Sequence, residues 1–235
     1  MFETVRAALV TRWLARSRRS WQSLPTPAGP PAAHRDGPDP DRVLLFGSGI
    51  AMGYGVRSHD LALAGQIAHR VSDLTHRGVR VDVIAAESLS TRDVLEHLTV
   101  GRLRSLDAVI LTPGSLEHII LMPVAQWRQG IEEQLDHFAA NAPASLRVVF
   151  VAVPEISQIL AVPRLLAYVG DRSARVLNRE LERLCAERDY VEFIPFLPLH
   201  PTDLSATDSA YREWAGLIAP TVAMALDEHH HRVST

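Results

Sequence analysis

The chain contains no lysine: all 24 of its basic residues are arginine, a mark of GC-rich codon usage and not of a particular chemistry. It has one cysteine, Cys185, which excludes an internal disulfide and leaves nothing to indicate an oxidising compartment. Aromatic residues make up 6% of the sequence, and apolar residues as a whole 47%, ordinary values for a globular protein. Near the N-terminus the longest apolar run is Ala7–Val10, too short for a signal-peptide core or a membrane span. A net charge of -3 gives the body of the protein no attraction for nucleic acid. The expectation is a cytoplasmic protein, with peripheral membrane contact as an open alternative, and without a cofactor or a metal.

Positive features begin at the N-terminus. Residues 1–20 carry Arg6, Arg12, Arg16, Arg18 and Arg19 against Glu3, while Phe2, Val5, Leu9 and Trp13 recur at helical spacing. This predicts a basic amphipathic helix within 1–24. It is either a loose terminus or a segment that lies on an anionic membrane or a protein partner. Residues 25–40 hold Pro25, Pro27, Pro30, Pro31, Pro38 and Pro40, a density that predicts a linker without regular structure. The folded domain is then expected over 41–226, so deletion of residues 1–38 should leave folding intact. A tail over 227–235 contains His229-His230-His231. Consecutive histidines without an acidic cluster read as a solvated tail, not a metal site.

Within 41–226 short β-branched runs alternate with amphipathic stretches. Strands are predicted at Val43–Phe46, Val79–Ile84, Ala108–Thr112, Val148–Val153 and Val191–Ile194. Helical stripes fall at Ala64-Ile67-Ala68-Val71-Leu74, Trp127-Ile131-Leu135-Phe138, Leu177-Leu181-Leu184-Cys185 and Tyr211-Trp214-Ala215-Ile218-Val222. Cys185 thus falls on a core face. The alternation predicts an α/β protein with a mainly parallel sheet covered on both faces. Ligands of such sheets bind beyond the carboxyl ends of the strands.

The loop after the first of these strands carries the clearest motif. The run Phe46-Gly47-Ser48-Gly49-Ile50-Ala51-Met52-Gly53-Tyr54-Gly55 resembles, without a gap, the first block of the SGNH (GDSL-type) hydrolases, F-G-D-S-x-x-x-G-x-G. Its glycine spacing is not the dinucleotide fingerprint. In this register Ser48 stands for the block's aspartate and Gly49 for its nucleophilic serine. A glycine has no side chain to acylate. The second block's glycine falls at Ser88, whose segment also reads as a helix start capped by Ser90 or Thr91. The third block, G-x-N-D, becomes Gly114-Ser115-Leu116-Glu117. Leu116 then replaces an oxyanion donor whose loss costs about 2.7–4 kcal/mol of transition-state stabilisation in an enzyme that uses it. The last block resembles the stretch up to Ala210-Tyr211, which places Ser205 at the histidine position and Thr202 at the aspartate position. His59–Gly65 and Pro163–Gly170 add further likeness, and the match spans 43–219.

The resemblance implies the SGNH fold, a flavodoxin-like three-layer α/β/α sandwich with a five-stranded mainly parallel sheet. It also implies that the usual Ser, Gly, Asn and His are absent, so the leading expectation is a pseudoenzyme acting as a binding or regulatory module. Its pocket would be bounded by Gly49, Ser88, Leu116 and Ser205 and would take a small neutral or acyl-bearing ligand. The alternative is a divergent ester hydrolase or acyltransferase that uses Ser48 with His200 and Asp203. A third reading is a scaffold docked through its N-terminal helix.

Overall fold

A computed structural model describes residues 24–91, 93–114, 117, 121–159, 164–195 and 207–233. The basic helix expected within 1–24 therefore lies, except for its last residue, outside the described residues.

Among the described residues six strands form one sheet: β1 (Ala32–Arg35), β2 (Asp41–Gly47), β3 (Val79–Ala85), β4 (Ala108–Thr112), β5 (Arg147–Val151) and β6 (Val191–Ile194), in the order β1-β3-β2-β4-β5-β6. From β3 to β6 all pairs are parallel, and only β1 runs antiparallel, against β3. Successive side chains of a strand point to opposite faces, and β2 fills both. Val43 and Leu45 enter one core, Leu44 and Phe46 the other. The first core is closed by α1 (Leu63–Thr75) and α7 (Thr207–Val233), through Ile67, Val71, Tyr211, Ile218 and Val222. The second is closed by α4 (Val124–Asn141) and α6 (Arg164–Ala186), through Trp127, Phe138, Leu177 and Leu181. Short helices α2 (Asp93–His97), α3 (Val100–Leu103) and α5 (Ile156–Ile159) lie in the connections. The three-layer α/β/α sandwich is as expected, with one strand more.

That extra strand corrects the reading of 25–40. The stretch between Pro31 and Pro38 is free of proline, so its N–H groups can pair, and Ala32–Arg35 sits opposite Asp82–Val79. The Val83 N–H donates to the Pro31 carbonyl at 2.7 Å. Upstream, the Pro25 carbonyl accepts from the Gly55 N–H at 2.7 Å, and the Ala28 N–H donates to Arg57 O at 3.0 Å. A deletion ending at residue 38 would therefore remove part of the sheet, not only a linker.

The supposed tail is also structured. Helix α7 continues to Val233. His229 Nδ1 lies 3.0 Å from Ser145 O, and its Nε2 lies 3.2 Å from Asp107 Oδ1. His230 Nε2 is 2.8 Å from Asp41 Oδ1, and His231 Nδ1 is 2.7 Å from Asp227 O. Each of these histidines therefore has a partner within the fold. Among the described residues no group of three His, Cys, Asp or Glu side chains could hold a metal ion, and no helix is long and apolar enough to cross a membrane.

Candidate functional site

Strand β2 lies between β3 and β4, with the chain winding to either side of it. This is the switch point at which an open parallel sheet leaves a crevice beyond its carboxyl ends. The register places Gly47 opposite both Ala85 and Thr112. The loops that follow β2, β3 and β4 therefore start side by side.

The first loop is shaped by close approach. Gly47 has φ +146°, and a Cβ there would strike the hydroxyl and carbonyl of Thr112. The Thr112 hydroxyl donates to Ser48 O at 3.2 Å, and the Ser48 N–H donates to Thr112 O at 3.4 Å. Ser48 is extended, and a single 3-10 turn, Gly49–Met52, follows it. Gly49 has φ +61°, a left-handed conformation that glycine enters without the Cβ penalty. The Ser48 side chain is buried at 2% exposure, and its Oγ has no hydrogen-bond partner among the described residues.

The second loop holds Ser88, which is exposed. It is tied to the first by the Ala86 N–H, which donates to Gly47 O at 3.3 Å, and by the Tyr54 hydroxyl, which donates to Glu87 Oε1 at 2.5 Å. The expected cap works in reverse. Asp93 Oδ2 accepts from both the N–H and the hydroxyl of Ser90, at 2.6 and 2.7 Å.

The third loop turns at Gly114, φ +84°, against Val153 and the Trp127 ring. Glu117, at the block's aspartate position, is only 1% exposed. Its Oε1 accepts from the Thr91 N–H at 2.9 Å, while Gln134 Nε2 of α4 donates to Thr91 O at 2.5 Å. Both backbone groups of buried Thr91, in the second loop, are thus held by side chains from two sides. Glu117, Gln134 and Thr91 carry no catalytic signature, and only a carboxylate amid apolar residues at Glu117 marks the arrangement in the sequence. Between these loops lies a small cavity lined by Phe46, Leu89, Val94, Leu111, Thr112 and Gln134. Helix α7 joins the site through the Tyr211 hydroxyl, which donates to Tyr54 O at 3.1 Å; burial raises its pKa.

Of the four residues expected to bound a pocket, Gly49 and Ser88 stand on these adjoining loops. Leu116 and Ser205 lie outside the described residues, as do Thr202, His200 and Asp203 of the alternative reading. Cys185 is in the core, where burial pushes its thiol up to about 12.

No family profile and no curated protein matches the sequence. Solved structures do match. A lipase from a goat rumen metagenome superposes with a TM-score of 0.56 at 12% identity, over 75% of this chain and 98% of its own. An extracellular lipase from Streptomyces rimosus gives 0.51 at 16%, over 79% and 99%. A lipolytic protein of the G-D-S-L family from Desulfitobacterium hafniense gives 0.53 at 11%, over 76% and 98%. The likeness covers nearly the whole of each of these proteins and concerns architecture, and in architecture the chain is an SGNH/GDSL-type hydrolase fold.

Proposed function

We propose that the protein is a non-hydrolytic member of this fold, a binding or regulatory module whose site accepts a small neutral or acyl-bearing ligand. The observation that carries the reading is Gly49, which follows Ser48 at the start of the 3-10 turn with no side chain to act as nucleophile. Covalent ester hydrolysis needs a nucleophile activated by an adjacent base. The neighbouring Ser48 hydroxyl is buried at 2% exposure, which argues against ready access for an ester. Support for the ligand class comes from the apolar side chains of Phe46, Leu89, Val94 and Leu111, which share the walls of a water-sized space beside the turn with Ser90, Thr91, Thr112 and Gln134. It comes also from the names of the structural neighbours, which are lipases. The arginines of residues 1–20 add a second expectation, attraction to an anionic membrane or partner.

The test pairs short-chain aryl esters with a serine-reactive phosphonate. We expect no turnover above background and no labelling, since nucleophile and base act as a unit. Robust hydrolysis that disappears in Ser48→Ala would establish the divergent hydrolase instead.

A further inference from the structure

The first half of α6 departs from the pattern of a surface helix. Its buried stripe runs through Gly170, Asp171, Ala174 and Leu177, and the face opposite such a stripe is ordinarily polar. On that face Leu165 is 74% exposed, Tyr168 60% and Val169 36%. Residues at i, i+3 and i+4 are neighbours on a helix, so the three form one apolar patch. Arg172, two turns beyond Leu165, continues it, and Arg164 stands one turn before Tyr168. Both arginines are exposed, and neither has an ion-pair partner among the described residues. The nearby Arg175, by contrast, is bound to Glu155 at 2.9 Å.

The patch has a definite place. Strand β5 ends at the carboxyl end of the sheet, and α6 returns from there, so its first half stands at the same end as the Gly47–Gly55 turn. The chain preceding Pro25 joins the fold at this end too, through the contact of Pro25 O with the Gly55 N–H.

We propose that the Leu165-Tyr168-Val169 face, with Arg164 and Arg172, docks on an anionic lipid surface. The apolar side chains enter at headgroup level and the guanidinium groups meet phosphates. Charge selects this occupant. A second copy in a twofold contact would set these arginines against their own equivalents. Residues 1–20 carry five arginines, whose charge opposes docking beside Arg164 and Arg172. The two basic elements instead act together, since stable surface attachment generally takes two signals. The proposal holds whether or not the site hydrolyses an ester.

The test uses the full chain with Leu165→Cys carrying an environment-sensitive fluorophore. Cys185 is buried and stays unlabelled. The control carries the label at Leu74→Cys, an exposed site near the far end of α1. Phosphatidylcholine vesicles containing phosphatidylglycerol should blue-shift the emission at position 165 and leave position 74 unchanged. Pure phosphatidylcholine should shift neither. Adding Arg164→Gln and Arg172→Gln should weaken binding about thirtyfold, the effect of two basic residues at an anionic surface. Vesicle binding without a shift at position 165 would overturn the proposal, since attachment would then run through another surface. An equal shift with neutral vesicles would overturn it too, as would a shift that follows protein concentration without vesicles.

Discussion

The two ends of the sheet carry their polar groups in different ways. At the amino end, the side chain of Asp41 is fully buried and meets Arg77 Nε and His230 Nε2, each at 2.8 Å. Arg77 reaches on to Asp227 at 2.8 Å. Burial pulls the Arg77 guanidinium down, but its hydrogen bonds to Asp41 and Asp227 outweigh that and raise its pKa. Asp107 takes Arg42 and His229, both at 3.2 Å, and buried Arg147 pairs with Glu228 at 3.1 Å. These groups fasten the end of α7 and the connection after α1 to the first residues of the strands. At the carboxyl end the buried hydroxyl of Ser48 goes without a partner among the described residues, and glycines take left-handed conformations. Buried polar groups in folded proteins are nearly always satisfied. The amino end answers it mostly through charge, with Arg77 Nη2 and Arg147 Nη1 left without a partner among the described residues. The carboxyl end departs from it where a binding site is expected, as functional sites tend to do.

This contrast can be broken by substitution. The largest effect belongs to Asp41→Ala, which takes the buried carboxylate from both Arg77 Nε and His230 and leaves Arg77 with Asp227 alone. Breaking a buried pair from one side costs about 3–5 kcal/mol, and urea unfolding should show a loss of that size. A loss below about 1 kcal/mol would mean that the amino end is not what fastens α7. An intermediate effect is expected for Glu117→Ala, which leaves the Thr91 N–H without its acceptor, at about 1–3 kcal/mol. Glu117→Gln keeps an acceptor and should lose less, and hydrogen exchange at the Thr91 amide should accelerate only in the alanine variant. The smallest effect belongs to Ser48→Ala. Removing a buried hydroxyl that has no partner among the described residues should change stability by no more than about 0.5 kcal/mol. A loss above about 1 kcal/mol would reveal a partner for Ser48 and bring the ends of the sheet closer in kind.

The sequence announced the parts of the fold that rest on periodicity. Val43–Phe46 reads as a doubly buried strand because every position is apolar, and Trp127, Ile131, Leu135 and Phe138 mark a helix by spacing alone. β1 did not show itself, because Ala-Ala-His-Arg has no alternation and its pairing with β3 joins segments about 47 residues apart. The His229–His231 run resembled a tail for a related reason. Its partners Asp41 and Asp107 lie far away in the chain, and the apolar stripe that identifies α7 stops at Leu226. At the site, the gapless match from Phe46 to Gly55 located the turn and its glycine. The bonds that fix the neighbouring loops, Tyr54 to Glu87 and Thr91 to Glu117 and Gln134, join residues 26 to 43 positions apart, and no local pattern encodes them.

The outermost strand also determines what the sheet shows to other molecules. Without β1 and Pro31, strand β3 would present an open row of N–H and C=O groups from Val79 to Val83, a template for pairing with another chain. β1 occupies that row and makes a poor template itself. It is four residues long, it ends in the exposed pair His34-Arg35, and Pro31 and Pro38 on either side prevent its extension. A chain beginning at residue 39 would lose this guard together with Ala33 of the first core, and self-association is its expected failing.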